Sequence, residues 1–177
     1  AEEQLPKLNL TLRYPSGETH KLKYRNPAIV SMPKLTYKTY WQPGQLGEKK
    51  HHLWRKDICI ELGNGRVIKG RVGIVSKIRS AHAGFAVFRR GRLIVGGHEE
   101  GWRPPETHGS PGSFPYKSIV GELDAIGFDV SHTKDGIDWG EDEECIIEEL
   151  ASIVKDPSFH LFNQTQLWRR NPPKEAN

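Results

Sequence analysis

Three pairs of short segments, each pair joined by a turn that contains glycine, constrain the fold of this chain most strongly. The segments LNLTLRY and THKLKYRN flank PSGE, the segments WRKDICIEL and RVIKGRVGIVSKI flank GNG, and the segments HAGFAVFRR and RLIVGG flank one glycine. Alternation of apolar and polar residues with a period of two is typical of a strand that has one buried face. The Gly-Asn-Gly turn is a strong hairpin signal. The pattern predicts three β-hairpins, and because both faces of GFAVF are apolar, the third should supply a central strand.

One helix pattern follows the hairpins, between residues 141 and 156. Its apolar side chains recur at helical spacing, and they are Ile146, Ile147, Leu150, Ile153 and Val154. Acidic residues 141–144 precede them, which suits the positive end of a helix dipole, and Pro157 ends the pattern. We therefore predict an α+β fold, with a mostly antiparallel sheet of hairpins and one main helix packed on it.

The other segments give weaker signals. Residues 26–52 contain three prolines and are predicted to be mostly loop with one short edge strand. Residues 96–117 form a long Gly- and Pro-rich stretch, which suggests a functional or covering loop. In SIVGELDAIGFDV the first part is helix or strand and AIGFDV is strand, whereas SFHLFNQTQLWRR is a last strand or an amphipathic turn.

Composition and charge limit the class of protein. With 27% charged and 36% apolar residues in a chain of 177, a soluble globular domain is expected. No apolar run approaches the ~20 residues of a membrane span, and no signal peptide is visible. Cys59 and Cys145 lie in apolar patterns, so we expect both to be buried in a reducing, cytoplasmic compartment.

Charge is distributed unevenly along the chain. Residues 1–100 contain 19 Lys and Arg against 8 Asp and Glu, a net charge of +11, whereas residues 101–177 contain 7 against 14, a net charge of −7. The basic half is suited to an anionic partner such as nucleic acid or nucleotide phosphate. Alternatively, the two halves complement each other within the fold.

Two basic stretches are candidate sites for phosphate. The hairpin turn FRRGR presents Arg89, Arg90 and Arg92, which would contact phosphate or simply form a solvated basic tip. In the turn SHTKDG, the side chains of Thr133 and Asp135 can hydrogen-bond the local backbone, and Gly136 has an unrestricted φ. Lys134 would then be an ordered donor suited to a terminal phosphate, or an exposed turn lysine.

Familiar catalytic and metal-binding motifs are absent. The sequence has no P-loop, dinucleotide fingerprint, CxxC pair, HExxH or nucleophile elbow, and its eight histidines are poorly spaced for a metal. A weaker hypothesis is a hydrolase whose acid and base groups come from residues 97–116, namely His98, Glu99, Glu100 and His108.

The strings HAGFAVFRRGRLIVGG, GWRPPE, GSPGSFPYKSIVGEL and FDVSHTKDGIDW resemble the region that follows the ATPase domain in GHKL-type ATPases. This superfamily includes DNA gyrase B, MutL, the large heat-shock chaperones and the MORC proteins. The resemblance covers roughly residues 54–155. It implies a transducer domain with a βαβ element like that of a ribosomal protein. We assign this α+β domain to residues 54–165, preceded by a β-hairpin and proline-rich extension at 1–53 and followed by a tail at 166–177.

The resemblance also implies a mechanism. In that superfamily a transducer lysine reaches the γ-phosphate of ATP in the neighbouring ATPase domain, and the matching residue is Lys134, in a loop shaped by His132, Thr133, Asp135 and Gly136. ATP and Mg²⁺ would be held by an upstream ATPase domain in a homodimeric full-length protein, because the superfamily's nucleotide-pocket motifs are absent here. The alternative is an autonomous nucleic-acid-binding module that uses the basic half.

Overall fold

In the computed structural model, the residues described are 10–22, 29, 31–36, 45–78, 83–96, 101–131 and 136–170. The strands are β1 Leu10–Arg13, β2 Thr19–Leu22, β3 Ser31–Thr36, β4 Gln45–Leu53, β5 Arg55–Glu61, β6 Val67–Ile74, β7 Gly84–Arg89, β8 Arg92–Val95, β9 Ile119–Ile126, β10 Asp129–Val130 and β11 Ile137–Asp138. The helices are α1 Pro105–His108, α2 Phe114–Ser118, α3 Glu143–Val154 and α4 Leu161–Arg170.

A five-stranded sheet in the order β5-β6-β9-β7-β8 forms the centre of the molecule. Neighbouring strands are antiparallel except β7 and β9, which are parallel. The chain passes from β7 to β9 through β8, α1 and α2, so the parallel pair is joined by a helical crossover. The predicted α+β fold with a mostly antiparallel sheet is confirmed, the three predicted hairpins are present, and β7 is an interior strand as predicted.

The core lies between the inner face of this sheet and the helices. Side chains from β5, β6, β7 and β9 pack there against α3 and α4, and those exposed by less than 1% include Ile68, Ile74, Phe85, Leu123, Ile146, Leu150 and Leu161. The predicted main helix is α3, preceded by a 3₁₀ turn at Gly140–Asp142. No helix in the described part of the chain has both the length and the apolar character needed to cross a bilayer.

The segment of residues 26–52 differs from the prediction, because it contains the β3–β4 hairpin where mostly loop was expected. Pro33 lies beside a shift in the strand register, a place where a sheet tolerates proline. The hairpin is tied to the core because Met32 is fully buried and its carbonyl accepts a hydrogen bond of 2.8 Å from the Trp54 indole.

The last segment also differs, because residues 161–170 form the helix α4 rather than a strand or a turn. Its buried face includes the polar Gln164 and Thr165 between Leu161 and Leu167, so apolar periodicity was weak in the sequence. This helix crosses the predicted boundary at residue 165.

The segment AIGFDV is not one strand. Ser118 is the last residue of α2, the strand β9 runs from Ile119 to Ile126, and Gly127 then adopts a φ of +82°. A side chain at Gly127 would also meet the carbonyl oxygen of Gly65 at 2.8 Å. The chain therefore turns, and Asp129 and Val130 pair with β11 in a separate small hairpin.

The cysteine prediction is wrong, because Cys59 and Cys145 are both exposed free thiols. Cys59 lies on the outer face of β5, between the buried residues Ile58 and Ile60. Cys145 precedes the buried Ile146 on α3. Each thiol thus neighbours apolar residues in sequence but points away from the core.

Candidate functional site

The predicted arginine turn and the β10–β11 hairpin, whose strands flank the predicted lysine stretch, lie at one edge of the five-stranded sheet. Because β7 and β9 are parallel, they end at the same edge, which we call the C-terminal edge. The arginine turn follows β7 there, and the β10–β11 hairpin follows β9. The Arg89 guanidinium joins them, since it donates hydrogen bonds to the carbonyl of Phe128 and, at 2.7 Å, to the Asp129 carboxylate.

Arg89 is therefore engaged within the fold, unlike its two neighbours. Arg90 and Arg92 are exposed at the turn, and neither forms an ion pair with another described residue. Arg90 adopts a φ of +51°, an uncommon value for a residue other than glycine. Of the three predicted contacts, these two are exposed at the C-terminal edge and have no ion-pair partner within the described part of the chain.

An aromatic cluster holds the base of the β10–β11 hairpin. The Phe128 and Trp139 rings lie edge to face with centroids 5.1 Å apart, and Trp102 stacks on Trp139 at 5.2 Å. Phe128 and Trp139 are both buried. Because these rings flank the hairpin on both sides along the chain, they anchor it to the body of the domain.

Arg66, immediately before β6, makes a second contact to the hairpin region. Its guanidinium lies over the Phe128 ring at 5.4 Å and forms an ion pair of 2.7 Å with Asp142, in the 3₁₀ turn before α3. The hairpin between β9 and α3 is therefore held by side-chain contacts both where β10 begins, at Phe128 and Asp129, and after β11, at Asp142.

The predicted lysine stretch connects the two strands of this hairpin, and the structure describes the residues on either side of it. Ser131 donates its backbone N–H to the carbonyl of Gly136 at 2.9 Å, and the Gly136 N–H is 3.3 Å from Ser131 Oγ, which accepts it. Gly136 is thus bonded to Ser131 through both its carbonyl and its backbone N–H. The other predicted loop residues, His132, Thr133, Lys134 and Asp135, lie outside the described residues.

Four ion pairs join the basic half of the chain to the acidic half. Among the described residues, each ion pair of Lys or Arg with Asp or Glu joins a cation from the first 100 residues to a carboxylate from the rest. These pairs are Lys56–Asp156, Arg66–Asp142, Arg71–Glu122 and Arg89–Asp129, each at 2.7 Å. The pKa of Asp156 lies well below its ordinary value. The main cause is its hydrogen bond with Lys56, and the second is its hydrogen bonds with Ser158. The interpretation that the two halves complement each other accounts for these charges.

His108, a candidate acid or base of the hydrolase hypothesis, is inaccessible. It is fully buried in α1, where its ring lies edge to face with Phe85 at 4.9 Å and its Nδ1 is 2.6 Å from Thr107 Oγ1. Burial, and secondly the positive charge of Arg103, lower its pKa from 6.5 to about 3. The ring is therefore neutral near pH 7 and shielded from substrate. His98, Glu99 and Glu100 lie outside the described residues.

An open acidic groove lies between α1 and the start of α3. It is lined by Ile147 and Gly140 together with the carboxylates of Glu106, Glu141, Glu143, Glu144 and Glu148. Sequence reasoning found the acids that precede α3, but the contribution of Glu106 depends on the packing of α1. Within the described parts of the chain, no group of three or more His, Cys, Asp or Glu residues is placed to hold a metal ion.

Comparison with models of known protein families finds no match. Comparison with curated proteins finds none either.

Proposed function

We propose that this chain is a transducer domain of a GHKL-type ATPase, which responds to ATP bound by an ATPase domain and promotes domain closure and dimerisation. The observation that supports the proposal is the position of Ser131 and Gly136, the two described residues on either side of the segment that contains Lys134. They are hydrogen-bonded to each other at the β10–β11 hairpin, which lies between β9 and α3 along the chain, at the C-terminal edge. A parallel strand pair joined by a crossover that contains two short helices is similar to the βαβ element expected of such a domain. The expected strand, loop and helix differ in one respect, because the strand β11 lies between the lysine segment and α3.

In this proposal Lys134 donates to the γ-phosphate, while ATP and Mg²⁺ are held by the ATPase domain. A hydrogen bond between charged groups contributes about 1.5–3 kcal/mol. A difference of that size between two domain arrangements changes their populations about tenfold or more. Hydrolysis removes the γ-phosphate and with it this contact, so the closed arrangement loses its stabilisation.

The test compares Lys134→Ala with the matched control Lys69→Ala in a protein that joins this chain to its ATPase domain. Lys69 is an exposed lysine on β6. ATP turnover and dimerisation driven by a non-hydrolysable ATP analogue are measured. We expect Lys134→Ala to lose both by at least tenfold and Lys69→Ala to lose neither. Equal behaviour of the two variants would refute the assignment.

The second candidate is nucleic-acid binding, favoured by the exposed cations Arg90 and Arg92. The four ion pairs within the fold weaken this candidate, because they neutralise charge that the basic half would otherwise offer. If nucleic acid is the ligand, affinity for a DNA or RNA duplex should fall steeply with salt, and the double change of Arg90 and Arg92 to Gln should weaken it. Lys134→Ala should then matter no more than Lys69→Ala.

A further inference from the structure

We propose that Arg89 and Arg66 are positioning residues that hold the β10–β11 hairpin, and hence the ends of its loop, in one orientation relative to the sheet. The proposal rests on the function proposed above for that loop. It concerns residues that act through the backbone of the hairpin and contact no ligand themselves.

Arg89 fixes the entry to the hairpin. Its Nε donates to the carbonyl of Phe128 and its Nη2 to the Asp129 carboxylate, so one planar head group bonds two consecutive residues. The two partners lie about 40 residues further along the chain than Arg89, so the contact joins the end of β7 to β10. A lysine ammonium lacks the planar set of donors of a guanidinium, so it would bond poorly to one of these two partners.

Arg66 fixes the exit from the hairpin. Its ion pair with Asp142 lies four residues beyond the end of β11, and the stacking of its guanidinium on Phe128 reaches back to the entry. The two arginines therefore contact the chain just before and just after a hairpin that has only two residues in each strand. A ladder this short is marginal on its own, so its orientation depends on these side chains and on the aromatic cluster beneath it.

The exposure of the Arg89–Asp129 ion pair distinguishes a positioning role from a role in the stability of the core. The Asp129 side chain is 87% exposed, whereas its partner Arg89 is 22% exposed. Ion pairs with a solvent-exposed member contribute little to global stability. Loss of the Arg89–Asp129 pair should therefore change local opening of the hairpin and leave the unfolding midpoint nearly unchanged.

The first experiment measures amide hydrogen exchange by NMR in the 177-residue chain. The readout is the Ser131 amide, which is bonded to the Gly136 carbonyl. We expect Arg89→Lys and Arg66→Lys to accelerate its exchange at least about tenfold. The matched control is Arg71→Lys, because Arg71 forms an ion pair of the same length with Glu122 within the sheet. If an arginine variant fails to fold, Asp129→Asn removes the exposed partner instead. Unchanged exchange at Ser131 in all folded variants would overturn the proposal.

The second experiment measures ATP turnover by the protein that includes the ATPase domain. We expect Arg89→Lys to lower kcat with the KM for ATP unchanged, since the ATP pocket is intact, and Arg71→Lys to change neither. If Lys134→Ala has no effect on turnover, the proposed function fails, and the exchange data alone decide whether the arginines position the hairpin. If Lys134→Ala abolishes turnover but Arg89→Lys and Arg66→Lys leave it unchanged, the positioning role is refuted.

Discussion

His108 should make the stability of this domain fall as the pH is lowered from 7 to 5. The side chain is fully buried against Phe85, and burial, followed by the charge of Arg103, lowers its pKa to about 3. The backbone carbonyls of Ile119 and Pro104 act in the opposite direction but are the smaller contributions. The folded protein therefore keeps His108 neutral, while the unfolded chain protonates it with an ordinary pKa of 6.5.

The sign and size of the effect follow from proton linkage. A group whose pKa is lower in the folded state binds protons first in the unfolded state, so stability declines below pH 6.5 and continues to decline until the pH approaches the folded value. Each pH unit inside this window costs about 1.4 kcal/mol. Between pH 7 and pH 5 the loss attributable to His108 is about 2 kcal/mol.

The perturbation that isolates this contribution is His108→Gln, which retains polar atoms without a titratable ring. Urea unfolding at pH 7, 6 and 5 gives the free energy of unfolding for the variant and for the parent sequence. The variant should be less stable at pH 7 but lose about 2 kcal/mol less on acidification. The matched control is His160→Gln, since burial also lowers the pKa of His160, which is much less buried. Parallel pH profiles for the parent and His108→Gln would refute the buried neutral histidine.

Three further substitutions test the packing, each by urea unfolding. Arg90→Asn should stabilise the chain by about 0.5–1 kcal/mol, because asparagine tolerates the φ of +51° better; no gain would refute strain at the turn. Gly121→Ala should destabilise it by about 1–3 kcal/mol, because the new Cβ would lie 2.5 Å from the Phe85 ring, and an unchanged midpoint would contradict this close approach. Trp54→Phe should lower the free energy of unfolding by about 1–3 kcal/mol, because it leaves the buried Met32 carbonyl without its indole donor. Trp54→Phe should destabilise the chain less than Trp54→Leu does.

Local signals predicted the elements of this fold that depend on nearby residues. The turn at Asn64 and Gly65 has positive φ at both positions, as the Gly-Asn-Gly sequence indicates for a tight hairpin. The helix α3 has its buried residues Ile146, Leu150 and Val154 at the predicted spacing. These local patterns mispredict a residue's burial where that burial depends on packing against residues distant in the sequence. The helix α4 buries two polar residues, and Cys59 faces outward although its neighbours are apolar.

By itself, the sequence determined the three hairpins with glycine turns, the main helix and the α+β class, because turn geometry and side-chain periodicity act over a few residues. The tertiary structure alone decided that β7 and β9 run parallel, and so which edge the arginine turn and the β10–β11 hairpin share. It also decided that Arg89 is bonded to Asp129 while Arg90 is exposed. Contacts between residues about 40 apart depend on how strands are ordered in the sheet, and neither periodicity nor turn chemistry specifies that order.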